Sequence, residues 1–258
     1  MGTKYTSLTK IDLSIIEKII SHCGNVTDSI CIYDALYKEY SKAEVKNKIT
    51  KLNKAGWLIR IKKGIYVITN VDSHNFANIS PMVISNIFVP DSYVSFEYAL
   101  NYYNLFDQLT SKVTAITSLK SRKFIFQDLD FQFVKTKPHL IFGYKEIAIN
   151  GLKAKVAELE KVILDYLYFR ADTYSIDLVL EKLRESKGDF NFHKMQEYTL
   201  KCSVSVKRRL GFLLDLISVD TSKLHQEVKK HYGYSRLTKK SKEFNSKWRL
   251  YYEIRFAQ

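Results

Sequence analysis

The segment from residue 41 to residue 68 constrains the fold most, because it combines a capped helix with two short apolar runs. Ser41 and Glu44 have the S-x-x-E spacing of a capping box, in which the two residues satisfy free amides of the first helical turn. Gly56 marks the end of this helix. The runs "WLIRI" and "IYVI" that follow are typical of β-strands, and Gly64 can adopt the positive φ of a tight turn between them. The segment therefore predicts a helix followed by a β-hairpin.

Two further helices are predicted before this segment, over about residues 10–20 and 29–37. Apolar residues recur at helical spacing in the first of them, and Gly24 follows it as a stop signal. The resulting order of helix, helix, capped helix and hairpin is that of a winged helix-turn-helix. In that architecture the third helix enters the major groove of DNA, and the hairpin lies along the DNA backbone.

The capped helix has an apolar stripe, formed by Val45, Ile49 and Leu52, and a basic polar face opposite to it. Such a face is most often ordinary solvated surface, but its combination with the basic turn "RIKKG" favours DNA contact. We expect the hairpin cations to contact phosphates and the helix face from Lys46 to Lys51 to meet base edges. The DNA-binding candidates are Lys42, Lys46, Asn47, Thr50, Lys51 and Lys54 on the helix and Arg60, Lys62 and Lys63 on the hairpin.

The net charge of the chain is +14, from 41 Lys and Arg against 27 Asp and Glu, and this charge is concentrated at the two ends. Residues 1–70 contain 12 basic and 6 acidic residues, which is a net charge of +6. Residues 229–258 contain 9 basic and 2 acidic residues, which is a net charge of +7. Strongly positive segments attract phosphate backbones and other anionic surfaces. Both ends of the chain are therefore candidate nucleic-acid contacts.

The pattern along the chain predicts a winged helix-turn-helix domain over residues 1–70, a linker over residues 71–92 and an α+β domain over residues 93–258. The linker is a polar stretch with two prolines. Runs such as "KVTAIT" and "LDFQFVK" predict a small antiparallel sheet, and the chain after them is mostly helical. Ser95 and Ser205 are N-cap candidates in this domain. The fold class is therefore α+β, with a winged helix-turn-helix followed by an α+β and largely helical domain.

A second basic group of candidates lies near the C-terminus, as a candidate contact for nucleic acid or for another partner. It comprises Lys207, Arg208 and Arg209 at the start of a predicted helix and Lys239, Lys240, Lys247 and Arg249 in the tail. Cations in a first helical turn oppose the helix dipole, which makes them a candidate anion site, although long side chains that splay into water are the simpler explanation. Seven aromatic residues alternate with the cations of residues 229–258. They are suited either to stacking on bases or to anchoring the last element to the core.

The motifs of common enzymes are absent: the chain has no G-x-G-x-x-G, P-loop, H-E-x-x-H or G-x-S-x-G. Asp128 and Asp130 form a carboxylate pair that could hold Mg²⁺, but we interpret them as hairpin-turn residues. His22 and Cys23 have no partners at metal-ligand spacing. We therefore expect a protein that is not an enzyme, with no catalytic residue, no metal site and no cofactor.

The sequence also indicates the cellular compartment in which the protein is expected. No apolar run approaches the roughly 18 residues that a membrane span needs, so we expect no membrane partner. Cys23, Cys31 and Cys202 are the only cysteines, and they form no C-x-x-C pair. Together with the lack of a secretory signal pattern, this favours a reducing, cytoplasmic compartment.

The chain resembles the AbiEi-type antitoxins of abortive-infection, type IV toxin–antitoxin systems. The resemblance rests on "LNKAGWLIRIKKGIYVI", "SYVSFEYALNYYNL", "VTAITSLKSRKF", "ELEKVILDYLYF" and "KRRLGFLLDLI", and it covers most of the sequence. The first stretch is similar to the helix-to-wing segment of that family, and the order of the five is more specific than any one of them. Leu159 stands where the family usually has a Pro.

The resemblance implies an N-terminal winged helix that binds promoter DNA with inverted repeats and represses its own operon. It further implies a C-terminal domain that opposes a nucleotidyltransferase-like toxin, directly or indirectly, as part of phage defence. Under this resemblance the second basic group of candidates is also the candidate toxin contact. Two alternatives remain open from the residues alone. One is an RNA-binding protein or nucleic-acid enzyme that works through the basic C-terminal region, and the other is a plain transcriptional regulator without a toxin partner.

Overall fold

The computed structural model describes residues 8–69, 79–108 and 110–256 of the chain. It divides into two compact units. The first unit comprises the residues up to Pro90 together with Ala148–Ala154, and the second comprises Asp91–Ile147 and the chain from Lys155 onward. Helices and strands occur in both units, which confirms the α+β class.

The first unit follows the order expected from the sequence, with two additions, β1 and α4. The helix α4 lies inside the segment expected to be a linker, of which residues 71–78 lie outside the described residues. A Pro in its first turn and a hydrogen bond from the amide of Met82 to the hydroxyl of Ser80 begin this helix. The elements are α1 (Lys10–Cys23), β1 (Val26–Asp28), α2 (Ser29–Leu36), α3 (Lys42–Lys54), β2 (Leu58–Lys62), β3 (Ile65–Ile68) and α4 (Pro81–Phe88).

A three-stranded antiparallel sheet in the order β1-β3-β2 completes the first unit. The hairpin between β2 and β3 turns at Lys63 and Gly64, and Gly64 has a φ of 78°, so the predicted glycine turn is confirmed. Arg60 pairs with Tyr66, and the register then shifts before Lys62. This irregularity changes the direction of the strand just before its basic turn.

The core of the first unit is built from the apolar stripes that the sequence indicates. Ile16 and Ile19 of α1 and Ile32 of α2 are fully buried, and Leu52 of α3 is 2% exposed. Val45 is also buried, whereas Ile49 packs against the cluster while partly exposed. The stripe of α3 therefore faces inward, and its opposite face is left toward solvent.

Cys23 and Cys31 form a disulfide with a Cα–Cα distance of 6.0 Å. The bond joins the last residue of α1 to the first turn of α2. The sequence did not indicate this pairing, because the two cysteines are 8 residues apart and form no C-x-x-C motif. Disulfides are most common in oxidising compartments, so this pair does not support the cytoplasmic location, which stays a prediction.

The chain after Pro90 forms a larger sheet, a set of helices and a small terminal sheet. The elements are β4 (Ser92–Val94), α5 (Phe96–Tyr102), β5 (Lys112–Thr117), β6 (Arg122–Phe126), β7 (Leu129–Lys135), β8 (Tyr144–Ile149), β9 (Leu152–Ala157), α6 (Leu159–Phe169), α7 (Thr173–Glu185), α8 (Phe192–Leu200), α9 (Val204–Asp215), α10 (Ser222–Lys229), β10 (Ser235–Arg236), β11 (Glu243–Asn245) and β12 (Leu250–Tyr252).

The larger sheet has six strands in the order β6-β7-β5-β4-β9-β8. Its β5–β7 and β4–β9 pairs are parallel, whereas β6–β7 and β4–β5 are antiparallel. The expectation of an antiparallel sheet is therefore wrong, because the residue pattern of a strand does not encode the direction of its neighbours. Asp128 lies with Gln127 in the two-residue turn between β6 and β7, where both have positive φ, and Asp130 lies in β7.

Helix α6 is the most deeply buried helix in the described part of the second unit, and every residue from Leu159 to Leu167 is buried. The two N-cap predictions for this unit have different outcomes: Ser95 is the N-cap residue of α5, as predicted, whereas Ser205 is not an N-cap. Ser95 precedes α5 but makes no cap hydrogen bond, because its hydroxyl donates to Asp165 of α6. Helix α9 begins after Ser203, so Ser205 is its second residue.

Candidate nucleic-acid interface

The position of α3 is set by the capping box that the sequence predicts. The backbone amide of Glu44 donates to the hydroxyl of Ser41, and the amide of Ser41 donates to the Glu44 carboxylate at 2.8 Å. The hydroxyl of Ser41 donates to the same carboxylate, and these hydrogen bonds lower the pKa of Glu44. The first turn of α3 is therefore held in place by its own side chains.

The polar face of α3 is exposed along its whole length. The exposed candidates on this face are Lys42, Lys46, Asn47, Thr50, Lys51 and Lys54. The hydroxyl of Thr50 donates to the carbonyl oxygen of Lys46 within the helix, at 2.9 Å. A hydroxyl in this position still has lone pairs that can accept a hydrogen bond. The sequence prediction that these residues share one solvent-facing surface agrees with the structure.

Lys51 on this face also contacts another helix. Its ammonium lies 2.9 Å from a carboxylate oxygen of Asp12 on α1. Burial acts to raise the pKa of Asp12, but hydrogen bonds from Lys51 and Thr9 outweigh it, so this pKa lies below its usual value. Because its charge is compensated in this way, Lys51 contributes less to the positive potential of the face than its neighbours do.

The hairpin cations fall into two groups. Arg60 and Lys63 are exposed. Lys62 is half-buried, and its ammonium donates to the carbonyl oxygen of Ile87 at 2.6 Å and to that of Phe88 at 3.4 Å, at the end of α4. A cation at a helix C-terminus is stabilised by the free carbonyls there, so Lys62 has a structural partner that the sequence did not reveal.

Two candidates of the C-terminal group do not form the surface patch expected from the sequence. Arg208 is 1% exposed, and its guanidinium donates to the carbonyl oxygens of His231 and Tyr232. Arg209 donates to the carbonyl oxygens of Leu167 and Arg236. Burial lowers the pKa of both arginines. The local charge triplet looked like an anion site, but these two guanidiniums tie the end of the chain to the helices.

The other five C-terminal candidates differ in how far their charges are exposed to solvent. Lys239 and Lys240 are exposed, and Lys207 is half-buried. Lys247 forms an ion pair with Asp215 at 2.7 Å, and Arg249 donates to the carbonyl oxygen of His231 at 2.9 Å. The structure thus separates the seven predicted residues into buried anchors and exposed charges.

The second unit contains a buried polar cluster that the sequence did not reveal, because its members are far apart in the chain. Lys161 forms an ion pair with Asp165, with the two side chains 5% and 1% exposed. Ser95 donates to Asp165 at 2.8 Å, and Tyr93 lies 3.5 Å from it. Burial raises the pKa of Asp165, while Lys161 and the hydrogen bonds oppose that increase. The spacing of Lys161 and Asp165 by four residues was the available signal, but it is also that of many exposed pairs.

The described residues contain neither a metal-binding cluster nor a membrane-spanning helix. Among them, no group of three or more His, Cys, Asp or Glu is arranged to hold a metal ion. No described helix combines the length and the apolar character required to cross a membrane.

Comparison with known proteins identifies a shared fold. No family model matches the chain, and no curated protein matches it. The structure is similar to the crystal structure of the RV2827C protein from Mycobacterium tuberculosis, with a TM-score of 0.69, 10% sequence identity, and coverage of 99% of this chain and 97% of that chain. At this identity the similarity establishes the fold over nearly the whole length of both chains.

Proposed function

We propose that the chain is a DNA-binding transcriptional autorepressor that reads promoter DNA with the exposed face of α3. The main support is that Lys46, Asn47 and Thr50 lie together on the solvent side of a helix whose apolar side is buried. The order of α1, α2, α3 and a basic hairpin is that of a winged helix-turn-helix, which inserts its third helix into the major groove. Amide, hydroxyl and ammonium groups are suited to the edges of bases there.

The hairpin supplies the proposed backbone contacts. Arg60 and Lys63 are exposed on it and are the residues that we assign to phosphates. Lys62 is left out of the assignment, because its ammonium is bonded to the end of α4 and its replacement would disturb the fold as well as the charge. Lys42 and Lys54, at the two ends of α3, extend the positive face along the groove.

The test is binding of the full chain to a duplex of its own promoter at several salt concentrations. We expect Arg60→Ala with Lys63→Ala to weaken binding. The slope of log affinity against log salt should become shallower by about 2, because each phosphate contact that is lost reduces its magnitude by about 0.9. Asn47→Ala should instead lower specific affinity by about 1–3 kcal/mol and leave the salt slope unchanged, because a base contact releases no counterion.

The matched control removes the same charge elsewhere. Lys112→Ala with Lys123→Ala removes two exposed cations of the second unit, and we expect it to leave the salt slope nearly unchanged. If the hairpin variant and this control behave alike, the assignment of the hairpin to the DNA backbone is wrong.

The antitoxin role is the second part of the proposal, and the sequence resemblance supports it. We infer a cytoplasmic protein that counteracts a nucleotidyltransferase-like toxin and acts in phage defence, without enzymatic activity of its own. Cells that express the nucleotidyltransferase-like protein of the adjacent reading frame should resume growth when this chain is co-expressed. If growth stays arrested, or if no such reading frame adjoins the gene, a plain regulator without toxin partner is the better description.

A further inference from the structure

The small C-terminal sheet presents three side chains in one row across its strands. Its order is β10-β12-β11, with β10 parallel and β11 antiparallel to β12. In this register Tyr251 of the central strand has Arg236 on one side and Phe244 on the other. Because side chains directly opposite each other lie on the same face of a sheet, these three residues form a continuous row.

The row is held together by ring contacts and is open to solvent. The guanidinium of Arg236 lies 4.7 Å from the centre of the Tyr251 ring, and the ring of Phe244 lies 5.0 Å from it. Tyr234 packs edge-on against Tyr251 at 5.2 Å. Phe244 is 50% exposed and Tyr234 is 63% exposed. We call Arg236, Tyr251, Phe244 and Tyr234 the outer-face cluster.

The opposite face of the same sheet is anchored to the helices. Leu250 is fully buried, and Tyr252 packs on Phe212 of α9 with ring centres 5.0 Å apart. Trp248, just before β12, is fully buried and donates its indole N–H to Asp215 at 2.6 Å. The aromatic residues of the tail therefore divide into an inner set that packs toward the helices and an outer set on the opposite face of the sheet.

The surroundings of the outer-face cluster are strongly positive. Lys239, Lys240 and Lys242 are exposed in the connection between β10 and β11. Residues 229–258 carry a net charge of +7, from 9 basic and 2 acidic residues. Exposed aromatic rings within a basic surface are the combination that binds single-stranded nucleic acid, in which bases stack on the rings and cations track the backbone.

We propose that the outer-face cluster is a binding site for single-stranded RNA, with bases stacked on Phe244, Tyr234 and Tyr251 and phosphates near Lys239, Lys240 and Lys242. Arg236 supports the site by holding the plane of the Tyr251 ring, since its guanidinium is fixed by a hydrogen bond to the carbonyl oxygen of Ser241. A duplex has no unstacked bases to offer these rings. RNA is the assigned strand because Tyr234 is exposed and its hydroxyl can both donate to and accept from a ribose 2′-hydroxyl.

The experiment measures fluorescence anisotropy of a labelled single-stranded RNA of mixed sequence, about 16 nucleotides long to match the upper site sizes of such surfaces, with the full chain. We expect Phe244→Ala with Tyr234→Ala to weaken binding by about a hundredfold, because each of the two stacked bases that are lost costs about tenfold. Phe244→Tyr keeps both rings and the hydroxyl of Tyr234, and should retain binding within about twofold. The alanine variant should still bind the promoter duplex as before, which distinguishes this site from the α3 face.

Tyr174→Ala is the matched control, because Tyr174 on α7 is 55% exposed and lies outside the outer-face cluster. It should leave RNA binding unchanged. The proposal is overturned if the alanine variant binds RNA as the natural chain does. It is also overturned if a DNA strand of the same sequence binds as tightly as the RNA, or if polyglutamate displaces the RNA as effectively as unlabelled RNA does. The last result would indicate an acidic protein partner instead.

Discussion

Replacing Lys161 with Met is expected to lower the free energy of unfolding of the second unit by about 3–5 kcal/mol, the cost of leaving one partner of a buried ion pair uncompensated. Asp165 would then remain fully buried with only the hydrogen bonds from Ser95 and Tyr93. Urea unfolding gives the measurement. It can be followed by the fluorescence of Trp248 after Trp57→Phe, since these are the only two tryptophans of the chain.

The pH dependence distinguishes a charge effect from a loss of packing. Burial raises the pKa of Asp165, and removal of Lys161 should raise it further, so the folded variant binds a proton more readily than the unfolded chain does. The deficit of Lys161→Met should therefore be largest at neutral pH. It should shrink as pH falls toward about 4, where the aspartate of the unfolded chain also becomes protonated.

Two further variants complete the test of the buried pair. Lys161→Met with Asp165→Asn removes both charges and should recover more than half of the lost free energy, because an amide can still accept from Ser95. Lys230→Met removes an exposed lysine of the second unit that pairs with Glu227, and should cost less than about 1 kcal/mol. If Lys161→Met loses the same free energy of unfolding at every pH, an uncompensated charge on Asp165 is not the cause of the loss.

Replacing Gly211 with Ala is expected to destabilise the second unit by about 2–3 kcal/mol, although Ala is the better helix former by about 1 kcal/mol. A Cβ at this position of α9 would lie under 3.0 Å from three atoms of the Trp248 ring, which is closer than such atoms approach in proteins. The ring cannot move aside freely, because Trp248 is fully buried and its indole N–H is bonded to Asp215. The loss would be measured as a lower midpoint of urea unfolding by far-ultraviolet circular dichroism.

Gly188→Ala provides the comparison for this steric effect. A Cβ at Gly188 would have no neighbouring atom within 4 Å, so its substitution should leave stability unchanged or raise it by up to about 1 kcal/mol. If Gly211→Ala is as stable as Gly188→Ala, the indole does not pack on α9 as described. The anchoring of the small C-terminal sheet, and with it the rigidity assumed for the outer-face cluster, would then have to be abandoned.

The first unit was the more predictable of the two, because its signals are local. The capping box of Ser41 and Glu44 and the turn at Gly64 depend on residues within four positions of each other, and both occur as predicted. The exposed face of α3 follows from helical periodicity alone. By contrast, the partners of Lys51 and Lys62 come from α1 and α4, and nothing near those lysines in the sequence indicates them.

The second unit was predicted less well, because its decisive contacts join distant segments. Arg208 and Arg209 looked like a cationic surface, yet their guanidiniums donate to carbonyls 23 to 42 residues away. A charged residue in sequence is expected to be exposed unless a buried partner is known, and the partners here are backbone oxygens that composition cannot reveal.

The sequence by itself determined the α+β class, the helix and hairpin of residues 41–68, and the concentration of positive charge at both ends. These follow from periodicity, capping and counting, which need no knowledge of neighbours in space. Only the tertiary structure decided the directions of the strands in the larger sheet, the disulfide between Cys23 and Cys31, and which cations remain exposed. These depend on which elements pack against each other in space, because the burial and the partner of a side chain are set by its neighbours in the fold and not by its residue type.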